Sequence, residues 1–156
     1  MNETMTSGGR PVRIVLAEDD PDDQSFAREA LAHSRVTNDL TIVEDGQELL
    51  DFLRREGDYA DAEFEPLPHL ILLDLKMPRL GGFEALTEIR RDARLRQIPI
   101  VVMTTSGADE DITRSYELGV NSFIRKPVTF EGLVEAMRQI GQYWFQIVEL
   151  PHEREP

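Results

Sequence analysis

Residues 70–74 read LILLD and residues 100–104 read IVVMT. A strand with one wet face alternates apolar and polar residues; neither stretch does, so both read as strands covered on two sides. Each then ends on a side chain with chemistry to offer, Asp74 in one and Thr104 in the other. Buried strands of this kind belong to parallel sheets, whose ligands collect beyond the carboxyl ends of the strands.

Short apolar runs rich in β-branched residues recur on either side of these two. Taken together they lie at Val12 to Ala17, Leu40 to Val43, Leu70 to Leu73, Ile100 to Met103 and Ser122 to Ile124. Segments with helical spacing follow each one: Phe26, Ala30 and Leu31; Leu49, Leu50 and Leu53; Phe83, Leu86 and Ile89; Ile112 and Tyr116; and the stretch from Phe130 to Val148. Strand then helix, five times over, predicts an α/β fold: a five-stranded parallel sheet with helices on both faces. The last segment places apolar residues at 130, 133, 137, 140, 144 and 147, one helical stripe for the sheet. Tyr143 and Phe145 flank Trp144 on other faces and leave aromatic surface for an interface. Between the second helix and third strand, EGDYADAEFEPLPH (Glu56 to His69) has two prolines and weak periodicity, and reads as a long surface loop. Residues 1–10 read as a disordered tail, 11–148 as one domain and 149–156 as a fraying extension.

Composition narrows the function. With Lys plus Arg at 17 and Asp plus Glu at 30, the formal net charge is −13, which opposes association with nucleic-acid phosphates and anionic lipid. The absence of cysteine removes disulfide frameworks and thiolate metal sites, and suits a reducing cytoplasm. No apolar stretch approaches the roughly 20 residues of a membrane span, and the first ten residues lack the apolar core of a secretory signal. His33, His69 and His152 are scattered and read as structural or surface residues.

Residues 16–23 read LAEDDPDD, five carboxylates in six positions after the first strand. Asp20 before Pro21 fits an N-cap with proline at the first helical position, and Asp22 and Asp23 suit the positive end of the helix dipole. Glu18 and Asp19 lie earlier, at the strand tip, where capping does not account for them. If the strands are ordered 2-1-3-4-5, Glu18 and Asp19 meet Asp74, Thr104 and Lys126, the last ending the fifth strand in FIRKP. Singly each residue is ordinary: an aspartate at a strand end caps a turn, a lysine before proline is solvated, a threonine in a strand is common. Together they form a pocket of three carboxylates, a hydroxyl and an ammonium. Such carboxylates coexist around a cation, and hard oxygen ligands suit Mg²⁺ or Mn²⁺. One carboxylate is then placed to attack phosphorus, with the metal and Lys126 stabilising the developing charge and Thr104 donating to a phosphoryl oxygen.

EDD at 18–20, LLDLKMPRLGG at 72–82, TTS at 104–106 and KP at 126–127 resemble the response-regulator receiver domain of two-component signalling. The resemblance spans roughly residues 11–148 and implies the flavodoxin-like receiver fold with strand order 2-1-3-4-5. It makes Asp74 the phosphoacceptor and puts the metal on Glu18, Asp19, Asp74 and the backbone carbonyl of Lys76, with Asp19 the more direct of the acidic pair. Thr104 falls on the hydroxyl that moves toward the phosphoryl group, Lys126 on the family's lysine and Phe123 on its aromatic switch; the Lys126–Pro127 bond is expected to be cis. The implied partner is a sensor histidine kinase, and the implied role is that of a switch, not an enzyme. Only residues 149–156 follow the last apolar segment, so a stand-alone receiver is expected. EGDYADAEFEPLPH together with YWFQIVELP further resembles single-domain regulators that work with phytochrome-type histidine kinases, in which the last helix and its extension help form homodimers. On the face of helix four, strand five and helix five, the candidates for such contacts are Ile112, Tyr116, Arg125, Tyr143, Trp144 and Phe145.

Two rivals stay open. A phosphatase of the dehalogenase-like kind also forms an aspartyl phosphate, but its nucleophile closes the first strand with a second Asp two positions on; Asp74 closes the third and is followed by Lys76. A docking module independent of phosphorylation would have no need of the acidic pocket. A nucleotide-binding enzyme is the weakest option, because neither Gly8-Gly9 nor Gly81-Gly82 forms a phosphate loop between strand and helix.

Overall fold

The computed structural model describes residues 11–36, 38–62, 66–105, 109–126 and 128–142. Five strands, β1 (Val12–Ala17), β2 (Asn38–Val43), β3 (Leu70–Leu73), β4 (Ile100–Thr104) and β5 (Ser122–Arg125), alternate with helices α1 (Pro21–His33), α2 (Gly46–Arg54), α3 (Gly82–Arg91), α4 (Asp109–Glu117) and α5 (Phe130–Gln142). All pairings are parallel and the strand order is β2-β1-β3-β4-β5.

The unbroken apolar runs are explained by two cores. Successive side chains of a strand point to opposite faces. Ile71 and Leu73, with Val15, Ile100 and Val102, pack against Leu49, Leu53, Leu86 and Ile89 of α2 and α3. Leu70 and Leu72, with Ile14, Leu16, Val101 and Met103, pack against Ala27, Ala30 and Leu31 of α1 and Leu133 and Met137 of α5. Burying one such aliphatic side chain contributes roughly 1.5–3 kcal/mol, so the doubly covered β1, β3 and β4 are the most stable part of the sheet. The outer strands differ from the sequence expectation in length. β2 begins at Asn38, not Leu40, because Asn38 and Asp39 pair with Val12 and Arg13 through the backbone without burying a side chain. At the other edge β5 reaches Arg125 in the same way, pairing with Thr104, the buried residue that ends the inner strand β4.

The segment read as a surface loop is partly ordered against the core. Gly57–Ala62 form a 3₁₀ helix. Tyr59 anchors it: its ring meets Phe52 edge-on at 5.2 Å, and its hydroxyl donates to Glu48 Oε2 at 2.7 Å. At the far end His69 is buried and its Nδ1 accepts the Arg13 N–H at 2.9 Å, a structural role. Residues 63–65 lie outside the described part, as do residues 1–10 and 143–156. The expected cis bond at Pro127 and the interface candidates Tyr143, Trp144 and Phe145 therefore fall outside it too. The apolar stripe of the last helix holds as far as it is described, with Leu133 and Met137 buried and Phe130 and Ile140 packed beside them. No described helix is long and apolar enough to cross a membrane.

Candidate functional site

The order β2-β1-β3 reverses chain direction across the sheet between β1 and β3, and the crevice beyond their carboxyl ends is where such a sheet takes a ligand. Three residues sit one position past their strands, each still tied to the neighbouring strand by its own N–H. Glu18 donates to Val43 O at 2.9 Å, Asp74 to Ala17 O at 3.0 Å and Lys126 to Thr104 O at 2.9 Å. The backbone ladder thus fixes the side chains at the rim. Glu18, Asp19 and Asp74 each bring a carboxylate oxygen within 4.8 Å of the others.

The loop after Asp74 is held with little freedom. The Lys76 N–H donates to Asp74 Oδ1 at 3.1 Å and Gly82 N–H to Leu75 O at 3.0 Å. A Cβ on Gly82 would come within 2.5 Å of Leu75 Cα and 2.6 Å of Asp74 O, so only glycine lets α3 start this close to the strand end. On the other side Asp20 caps α1, as its sequence position implies, accepting from Asp22 N at 2.8 Å and Asp23 N at 3.3 Å, with Pro21 opening the helix. Gln24 then donates to Glu18 O at 2.7 Å, fastening α1 to the tip of β1.

Lys126 occupies the centre. Its ammonium lies 2.5 Å from Glu18 Oε1, 2.9 Å from Asp23 Oδ2 and 3.6 Å from Asp74 Oδ2. Asp23 was explained by the helix dipole alone in the sequence; the structure corrects that, since its carboxylate is also a partner of Lys126. No sequence signal pairs two residues so far apart, because the contact depends on how the first turn of α1 lies against the end of β5. Thr104 is fully buried at the end of β4 and Phe123 is half-buried against the core beneath α2 and α3. Asp19 and the Lys76 side chain are exposed. Of the outer-face candidates, Tyr116 and Arg125 are exposed and Ile112 half-buried.

The electrostatics are short of positive charge. Burial pushes the Glu18 carboxyl up to about 7, with Asp74 adding to the rise, even though Lys126 and the Asp20 N–H pull it down. Burial alone would lower Lys126, but its hydrogen bonds to Glu18 and Asp23 hold its proton affinity above the ordinary lysine value. One ammonium shared by three acids leaves room for a further cation. The oxygen-only donor set of Glu18, Asp19 and Asp74, one of them exposed so that water completes the shell, fits a hard divalent ion such as Mg²⁺ or Mn²⁺.

Known proteins are similar to this chain in sequence and in fold. Response regulator Rcp1 of Synechocystis sp. (strain ATCC 27184 / PCC 6803 / Kazusa) is 38% identical over 141 residues, 90% of this chain and 94% of that protein. Among solved structures, the phosphorylated cyanobacterial phytochrome response regulator RcpA aligns with a TM-score of 0.80 at 39% identity, covering 91% of this chain and 99% of that one. The Mn²⁺-bound form of Rcp1 aligns with a TM-score of 0.78 at 38% identity, covering 90% and 99%. Residues 14–138, which take in every strand-end side chain described above, match the response regulator receiver domain, and the chain belongs to that family.

Proposed function

We propose that this chain is a phosphorylation switch of a two-component system, in which Asp74 accepts a phosphoryl group from a histidine of a sensor kinase. The observation that carries the reading is the cluster of Glu18, Asp19 and Asp74 within 4.8 Å, with the Lys126 ammonium 3.6 Å from Asp74. In the transfer an Asp74 carboxylate oxygen bonds to phosphorus as the phosphorus–nitrogen bond of the donor breaks. The electron pair of that bond returns to the imidazole, which takes up a proton. Asp74 suits the task because its backbone is pinned and only 7% of its surface is exposed, which limits water attack on the product. Glu18, Asp19 and Asp74, with the Lys76 carbonyl, would hold Mg²⁺ or Mn²⁺, which when bound neutralises the acids and polarises the phosphoryl oxygens. Lys126 supplies a fixed positive charge to the same oxygens.

Thr104 donates its hydroxyl to the phosphoryl group, and Phe123 moves into the space it leaves, repacking the face of α4, β5 and α5. This is a shift between two existing packings. Ile112, Tyr116 and Arg125, with Tyr143, Trp144 and Phe145, are the candidate contacts of a homodimer there. Tyr116 is half exposed, which supports a partner on that face. The kinase is of the phytochrome type, on the strength of the likeness to RcpA, and the chain works in the cytoplasm without nucleic acid or membrane. It acts as a signalling component and does not turn over a substrate pool.

Radiolabelled phosphoryl transfer from a histidine kinase, or from acetyl phosphate, tests the reading. The parent is expected to take label and Asp74→Asn to take none; equal labelling of the two removes Asp74 as acceptor. Light scattering with and without beryllofluoride reads the dimer, and a monomer in both states removes it.

A further inference from the structure

Among the described residues, Asp23 is the one acid paired with Lys126 to which the proposed function gives no task. It stands on the first turn of α1, and the capping of that turn is already done by Asp20. Nor does it fall in the group of Glu18, Asp19 and Asp74 that could share a cation. Its carboxylate nonetheless lies 2.9 Å from the Lys126 ammonium, nearer than Asp74 at 3.6 Å.

The two short contacts of Lys126 differ in how readily they can be given up. The Glu18 side chain is 3% exposed and that of Asp23 is 40% exposed. A buried carboxylate left without its ammonium loses its ionic partner and, for Glu18, keeps the Asp20 N–H at 3.1 Å as compensation, whereas one in contact with water is rehydrated at once. A cavity of about 270 Å³, lined by Asp22, Asp23, Phe26, Met103, Lys126 and Val128, opens beside the pair and brings solvent to it. Glu18 is thus the permanent partner and Asp23 the releasable one.

From this we propose that Asp23 is a positioning residue that competes with the phosphoryl group on Asp74 for Lys126. In the resting protein it holds the ammonium on the α1 side of the pocket. When a phosphoryl group reaches Asp74, Lys126 exchanges the Asp23 contact for a phosphoryl oxygen, and the first turn of α1 is released from the end of β5. This rests on Asp74 being the acceptor. Asp23 therefore biases the switch toward its resting state and carries the state of the pocket to the surface of α1.

The test uses the full chain in excess Mg²⁺, titrated with beryllofluoride and followed by the backbone amide resonances of Asp22, Asp23 and Gln24. The pair is open to water at its Asp23 end, and an ion pair screened in that way corresponds to a change of about two- to five-fold in an equilibrium constant. Asp23→Asn is expected to bind the mimic more tightly by that factor and to hydrolyse the phosphoryl group on Asp74 correspondingly more slowly. Asp23→Glu, which restores the charge, is expected to return within two-fold of the parent. In the parent the three amides shift on binding; in Asp23→Asn they begin close to the released position. Equal or weaker binding by Asp23→Asn, or amides that do not move in the parent, would overturn the proposal. Asp74→Asn is the separate control: if it still binds the mimic, the acceptor assignment fails, whatever Asp23 does.

Discussion

Arg79 has a φ of +63°, in the left-handed region that favours glycine, and its guanidinium donates to Asp45 Oδ2 at 2.9 Å and Oδ1 at 3.0 Å. The pair joins the loop after Asp74 to the N-cap of α2, where Asp45 also accepts from Glu48 N at 2.7 Å. Burial raises the Asp45 carboxyl, but the hydrogen bonds from Arg79 and Glu48 outweigh it and hold the group below the ordinary carboxylate value. A depressed folded-state value stabilises the fold fully above the unfolded value, about 3.9 for aspartate, and the contribution fades as pH falls through the folded one. Asparagine caps helices as well as aspartate, so Asp45→Asn isolates the charge. Urea unfolding of the metal-free protein is expected to find the variant less stable at pH 7, with the gap to the parent constant down to about pH 5 and closing below about 4. A gap independent of pH would assign the loss to geometry alone. Glu18 is the contrast: it also gains hydrogen bonds, yet burial dominates and its carboxyl is pushed up to about 7.

At the scale of elements, what the sequence revealed and what it concealed have separate physical causes. β1, β3 and β4 were legible because two-sided burial leaves uninterrupted apolar runs, and the convergence of Glu18, Asp19 and Asp74 in the candidate site was legible because these residues follow two of those runs directly. The ends of β2 and β5 were not, since ladder pairing at an edge asks nothing of the side chain. The 3₁₀ helix Gly57–Ala62 was also hidden: Tyr59 on Phe52 and Glu48 is a tertiary contact with no period in the sequence. The partnership of Asp23 with Lys126, too, arises only from the packing of α1 beside β5. The start of α3 belongs to the same scale. Gly82→Ala would press a Cβ on Leu75 Cα and Asp74 O, backbone atoms that cannot turn aside. Forcing a methyl into such a space costs about 1–3 kcal/mol. A urea midpoint lowered accordingly, with slower phosphoryl uptake because the Asp74 backbone is displaced, is expected; parent-like values for both would mean that the helix shifts without strain.

For the whole molecule, a net charge of −13 means that any salt relieves self-repulsion, so a specific cation has to be separated from a diffuse one. A ligand that binds only the folded chain stabilises it by about 2.7 kcal/mol at one hundred times its dissociation constant. In a domain of this size that corresponds to a rise in Tm of roughly 5–10 °C. The acids of the pocket come from the ends of β1 and β3, so they converge only in the folded sheet, and the unfolded chain offers no such site. Saturating Mg²⁺ should therefore raise the midpoint of the parent well beyond what NaCl of equal ionic strength achieves, and a chelator should return it. Removing one carboxylate also lessens repulsion, so Asp19→Asn and Asp74→Asn could start from a higher midpoint than the parent; the quantity that decides is the increment from Mg²⁺ over NaCl. That increment should shrink to near zero in both variants while remaining intact in Asp61→Asn, whose carboxylate lies in the exposed 3₁₀ helix away from the pocket. If all four proteins gained equally, the ion would be acting on the overall charge and the pocket would not be its site.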